Sequence, residues 1–282
     1  MAHVPLTRRT RLEIAKLKVA LVEIVEAEQP MTVRGVFYRT VAAGLIAKTE
    51  AEYRNVICRL LLQLRRERWI KYRWITDGTR WQMKPRSFAG IEDFRTEMVD
   101  FYRRQLWNDQ ADYVEVFSEK QAIAGILYDV TSQWDVPLNV VRGFASETFL
   151  WALAQDITAI DKPTYLYYFG DWDPSGVLGA KDVERRLRGF APDAEIYFKR
   201  VAVTREQIRK WHLPTRPTKT SSHGKGFKGE SVEVDAIDAP MLRQLVTDCI
   251  EQHIDSDRLD RTRAVEEAER ESVKLALARI PA

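Results

Sequence analysis

Apolar positions recur at helical spacing at Leu12, Ala15, Leu17, Val19, Leu21, Ile24 and Val25, which predicts a first helix over residues 9–28 that Pro30 stops. Thr32 is placed to cap a second helix from 33 to about 43, ended by Gly44. Thr49 or Glu50 then opens a third helix, reaching residue 69, with Tyr53, Val56, Ile57, Leu60, Leu61 and Leu64 as its apolar stripe. Two β-forming runs follow at 71–75 and 80–83, joined through Asp77-Gly78, a dipeptide that tolerates the positive φ of a tight hairpin. Three helices and a hairpin predict a winged-helix domain over residues 1–86.

Residues 87–110 read as a linker and an amphipathic connecting helix over 91–107, with Ile91, Phe94, Met98, Phe101 and Leu106 on one face. From 111 the period alternates. Strands are expected at 113–117, 138–142, 164–169 and 195–203, separated by helices at 119–129, 146–158, 175–188 and 204–211, with closing helices at 239–254 and 257–279. Such alternation predicts an α/β domain over 111–282 whose mainly parallel sheet is flanked by helices. Residues 213–231, rich in proline, lysine and glycine, read as an irregular loop.

Charge separates the two parts. Residues 1–86 carry 18 Lys and Arg against 8 Asp and Glu, and residues 87–282 carry 26 against 33, so the near-neutral net +3 hides a basic amino-terminal part suited to a polyanion. On the third helix Arg59, Gln63 and Arg66 fall off the apolar stripe, flanked by Arg54 and Arg65, and the hairpin adds Lys71, Arg73 and Arg80. These are the candidate contacts to double-stranded DNA. Only Cys58 and Cys249 occur, without metal or disulfide spacing. The four histidines are scattered and read as surface or loop residues, which leaves no triad. The glycines of 224–229 lack the order of an ATP-binding loop. No signal-like or bilayer-length apolar run occurs, so a soluble, cytoplasmic and nucleoid-associated protein is expected.

The chemistry sits at strand ends. The run 165–169 leads into Gly170-Asp171-Trp172-Asp173-Pro174-Ser175-Gly176, and the run 113–117 leads into Ser118-Glu119-Lys120. In open parallel sheets ligands gather beyond the carboxyl ends of the strands, where Glu119, Asp171 and Asp173 fall. Three carboxylates there suit Mg²⁺, which prefers oxygen ligands and keeps several waters, and which stabilises charge on a phosphodiester under displacement. Lys120 and Arg142 are further possible members. Glu233 and Asp235 add acids near the sheet with no assigned role. On the second helix Arg34 and Tyr38, four apart, share a stripe expected to face out towards DNA, where the cation would assist a phenol of ordinary pKa about 10.

The Ser118-Glu119-Lys120 and Asp171-Trp172-Asp173-Pro174-Ser175-Gly176 motifs resemble the Toprim domain, and Val33-Arg34-Gly35-Val36-Phe37-Tyr38 resembles the Arg-x-x-(Phe/Tyr)-Tyr motif of the winged helix that precedes it in the topoisomerase VI A subunit and the meiotic double-strand-break proteins. The resemblance implies that Tyr38 attacks DNA to form a 5′-phosphotyrosyl link with help from Arg34, and that Glu119, Asp171 and Asp173 hold Mg²⁺. It also implies a homodimer in which the tyrosine of one subunit meets the metal site of the other, and a separate ATPase subunit if strands are to be passed. A compact form without its own ATPase domain resembles the stand-alone versions found on mobile genetic elements. Two alternatives remain open: a Toprim nuclease that uses water, and a non-cleaving DNA-binding accessory protein.

Overall fold

The computed structural model describes residues 9–76, 85–143, 145–218 and 230–279. Helix α1 (Arg11–Glu28) opens on a reciprocal cap between Thr10 and Glu13, and buries Leu17, Leu21 and Val25. Thr32 caps α2 (Val33–Ala42) by accepting the Gly35 N–H, and Thr49 caps the third helix in the same way. That helix starts as α3 (Glu50–Glu52), passes through a π-helical stretch Tyr53–Cys58 and continues as α4 (Arg59–Arg66). Val56, Ile57, Leu60, Leu61 and Leu64 of the expected stripe are buried, and Tyr53 packs partly buried against them.

The strand expected over 71–75 is mostly a 3₁₀ turn, Tyr72–Trp74, leaving Ile75–Thr76 (β2) to pair in parallel with Met31–Thr32 (β1). The Asp77-Gly78 turn, Arg80 and the second arm of the expected hairpin lie outside the described residues. Helix α5 (Ile91–Phe101) is shorter than expected, because the backbone turns extended at Tyr102 and then forms a separate 3₁₀ turn at Leu106–Asn108.

The larger part is α/β. Four parallel strands lie in the order β4-β3-β5-β6: Leu138–Val140, Tyr113–Ser118, Thr164–Phe169 and Ile196–Ala202. The connections α6 (Gln121–Thr131), α7 (Glu147–Ile160) and α8 (Pro174–Phe190) cover both faces, followed by α9 (Arg205–Lys210), α10 (Ala239–Glu251) and α11 (Ser256–Ala278). Side chains alternate across the sheet. Val114, Val116, Tyr167 and Phe169 pack with Leu127 of α6 and Leu242 and Val246 of α10 on one face. Phe117, Leu166 and Tyr168 pack with Leu150 and Ile157 of α7 and Val183 and Leu187 of α8 on the other. Each such side chain contributes about 1.5–3 kcal/mol by its burial. The first cluster also continues into Leu21, Phe37 and Leu61, so the helical part packs against the α/β part through buried apolar surface.

The ends of the expected irregular loop are ordered. Arg216 and Ser231 exchange backbone hydrogen bonds of 2.9 and 2.8 Å, and Trp172 and Val232 pair in the same antiparallel sense. Residues 219–229, with Lys219, Lys225, Lys228 and the glycine cluster, lie outside the described residues. His253, expected at the surface or in a loop, lies in the turn joining α10 to α11, with its side chain enclosed between Asp112 and the Tyr167 hydroxyl. Among the described residues no helix is long and apolar enough to cross a membrane.

Candidate active site at the carboxyl edge of the sheet

β3 and β5 are neighbours in register, Ser118 opposite Phe169, so the residues that follow them meet. Glu119 Oε2 accepts the Asp171 N–H at 3.0 Å. Asp171 Oδ1 accepts the Val234 N–H at 2.9 Å. Asp173 Oδ1 caps α8 by accepting the Gly176 N–H at 2.8 Å. Each of the three acids is thus held on the backbone through one oxygen, which leaves its second oxygen for another partner. The glycines of the motif make room for this. A Cβ at Gly176 would stand 2.5 Å from the Asp171 carbonyl and 2.9 Å from Glu119 Oε2, and one at Gly170 would collide with Glu119 Oε2 and the Tyr168 ring.

Two half-buried cations sit among these groups. The Arg200 guanidinium donates to the carbonyls of Gly170 at 2.8 Å, Gly176 at 3.0 Å and also Asp171, tying the turn together from β6. The Lys120 ammonium lies 3.1 Å from Asp171 Oδ2, 2.7 Å from Glu233 Oε2 and 3.1 Å from Asp235 Oδ1. Arg216 reaches Glu233 at 2.8 Å and approaches Asp173 Oδ2 at 3.7 Å.

The acids divide by their partners. Burial pushes Glu119 up to about 7, and neighbouring Asp171 adds to the rise. Burial likewise raises Asp171 to about 6 even though Lys120 pulls the other way. Burial acts on Glu233 too, but Lys120, Arg216 and the Tyr38 hydroxyl outweigh it and hold the carboxyl at about 2.

Tyr38 and Arg34 require a correction. The stripe expected to face outward is turned inward: Tyr38 is 2% exposed, and burial first, then the nearby carboxylates of Asp235 and Glu233, push its pKa far above the usual phenol value. Arg34 sits 4.5 Å above the Tyr53 ring and 5.7 Å from that of Tyr38, pairs with Glu50 at 3.2 Å and stands 4.0 Å from Glu233. Lys48 is 5.3 Å from the Tyr38 ring on its way to the Pro214 carbonyl. α2 turns this way because Val36, Phe37, Tyr38 and Thr40 are all buried, so the helix has a wider interior face than a single stripe. The tyrosine faces the acids of its own chain, whereas the resemblance implies a meeting across two subunits.

The other expected residues lie on the surface. Arg59, Gln63, Arg66, Lys71 and Arg73 are exposed, Gln63 donates to Glu67, and exposed Arg54 pairs with Glu50 at 2.8 Å. Exposed Arg142, beyond β4, donates to Gln121 at 2.8 Å.

As donors, Glu119, Asp171 and Asp173 fit a hard cation: all are oxygen ligands, each is pre-positioned by a backbone N–H, and the buried Tyr168 hydroxyl beside Glu119 has no hydrogen-bond partner. Among the described residues, however, no three His, Cys, Asp or Glu side chains converge closely enough as they stand to form a ready metal site. The Lys120 ammonium takes the free Asp171 oxygen.

Glu233, Asp235, Arg216, Arg200 and Lys48 had no role in the sequence reading. The alternation of apolar and acidic residues in Val232-Glu233-Val234-Asp235 is the one local signal for the first two, and it leads into a 3₁₀ turn at Val234–Ala236. Arg200 is marked only by being an arginine within a strand. A comparison against protein-family models finds no match, and a comparison against curated proteins finds none either.

Proposed function

We propose that the chain is a DNA-cleaving protein of the topoisomerase VI A-like kind, in which the helical part is a winged helix bearing the nucleophile Tyr38 and the sheet part is a Toprim domain. One observation carries this reading. Two motifs far apart in sequence meet: Arg34 comes within 4.0 Å of Glu233, with the buried Tyr38 ring beside it, and Glu233 is joined through Lys120 to Asp171.

Glu119, Asp171 and Asp173 would hold Mg²⁺, which when bound supplies positive charge to the phosphodiester under attack. Glu233 lies beside the Tyr38 phenol and orients it, and because a carboxyl held at about 2 is too weak a base to keep a phenolic proton, that proton is released to solvent. The phenolate oxygen then forms the bond to phosphorus while the bond to the sugar 3′ oxygen breaks, and that oxygen leaves as a hydroxyl on accepting a proton. Arg34 balances the charge on Tyr38. The exposed Arg54, Arg59, Gln63, Arg66, Lys71 and Arg73 hold double-stranded DNA by its phosphates. Tyr38 is too buried to meet a duplex in this arrangement, so α2 first moves off the Val234–Ala236 turn. In that opened form a homodimer pairs each tyrosine with a partner's carboxylates. Strand passage, unlike cleavage, needs a separate ATPase.

The burial of Tyr38 favours a second reading, in which water attacks and the tyrosine only seals the interface between the two parts. Supercoiled plasmid incubated with protein and Mg²⁺, then quenched with denaturant, separates the two. The first reading expects DNA covalently attached to protein, lost in Tyr38→Phe. Cleavage without adducts that survives Tyr38→Phe but not Asp171→Ala establishes the second, and binding without cleavage points to the accessory role.

A further inference from the structure

Glu119 and Lys120 are neighbours in an extended segment that ends β3 and leads into α6, with Lys120 itself in β geometry. Consecutive side chains of extended backbone point to opposite sides. Glu119 goes towards Gly170 and Gly176, and Lys120 goes towards Glu233 and Asp235, so that Asp171 lies between a carboxylate and an ammonium. The acids around Lys120 are almost closed to solvent, with side-chain exposures of 9% for Asp171, 9% for Glu233 and 4% for Asp235. Three carboxylates gathered that deeply need positive charge among them. Of these three acids Arg216 and Arg34 approach Glu233, and among the described residues it is Lys120 that pairs with all three.

We infer that Lys120 is the built-in cation of this site: its ammonium does for Asp171, Glu233 and Asp235 what a second divalent ion does in a two-metal centre, so the site takes one divalent ion, on the Glu119 and Asp173 side of Asp171. This rests on the metal reading proposed above. It assigns Glu233 and Asp235 to the ammonium and the tyrosine, and removes them from the metal's ligands.

The test is a calorimetric titration of the full chain with Mn²⁺ in the absence of DNA. The wild type should take one ion per chain. Asp235→Asn should leave stoichiometry unchanged and affinity within about twofold, whereas Asp173→Asn should weaken binding by about tenfold or more. Lys120→Met, which empties the ammonium position, should take two. Two ions in the wild type, a tenfold loss in Asp235→Asn, or one ion in Lys120→Met overturns the inference while leaving the metal reading intact. No ion in any variant overturns both. The Asp235→Asn result decides the matter even if Lys120→Met does not fold.

Discussion

The two ends of the parallel sheet both hold buried polar groups, and they use them differently. At the amino end, His253 spans Asp112 at 2.7 Å and the Tyr167 hydroxyl at 2.6 Å, Gln252 adds a hydrogen bond of 2.9 Å to that hydroxyl, and the Lys162 ammonium donates to the carbonyls of Trp107, Asn108 and Gln110. At the carboxyl end, Glu119, Asp171, Asp173, Glu233 and Asp235 gather around Lys120, Arg200 and Arg216, two of the acids are held well above their ordinary pKa, and the Tyr168 hydroxyl has no partner. A closed network is what stability alone favours, because every buried polar group finds its bond. Unspent charge costs stability and is retained where a ligand or a reaction needs it.

The sharpest break of this comparison is a pair of substitutions. Asp171→Ala should reduce plasmid cleavage by about 100-fold or more while lowering the melting temperature by only about a few degrees, since the Val234 N–H loses its acceptor but Lys120 keeps Glu233 and Asp235. His253→Ala should do the reverse: a loss of about 2–4 kcal/mol in urea unfolding, from the stranded Asp112 and Tyr167 groups, with cleavage per folded molecule unchanged. If His253→Ala abolished cleavage without destabilising the chain, the division of labour between the ends would fail.

Midway along the sheet Glu115 sharpens the comparison by pH. It is 2% exposed, and burial lifts it to about 7 against hydrogen bonds from Asn139 and Tyr113. Its folded pKa exceeds the ordinary 4.5, so its stabilising contribution is complete below about 4.5 and is lost as pH rises through about 7. Glu119 and Asp171 titrate in the same direction, so the difference between wild type and Glu115→Gln isolates this one group. The variant should gain about 2–3 kcal/mol over the wild type on going from pH 5 to pH 8, read from urea midpoints, and little at pH 5. The smallest effect is on the outer basic face. Arg59→Ala and Lys71→Ala should each reduce the salt dependence of DNA binding by about one phosphate contact, with an unchanged rate of cleavage at saturating DNA.

Much of the architecture was legible because its causes are local. Thr32 and Thr49 cap their helices where a hydroxyl precedes an apolar period, and the alternation of β-forming and helical runs produced the parallel sheet with helices on both faces. Glu119, Asp171 and Asp173 were legible for a related reason: a residue just past a parallel strand is at the carboxyl edge whatever the strand order. The short β2, by contrast, pairs with Met31–Thr32, more than forty residues upstream, and no local pattern marks that partner.

By itself, then, the sequence determined the elements, the class of fold and the three acids at its open edge, because period, caps and strand ends act within a few residues. Only the tertiary structure decided which way Tyr38 faces and what Lys120 holds. Both depend on Glu233 and Asp235, over a hundred residues beyond Lys120, being carried back to the sheet by the pairing of Val232 with Trp172. That pairing places buried carboxylates within reach of an ammonium and a phenol, and burial makes each of them depend on the others.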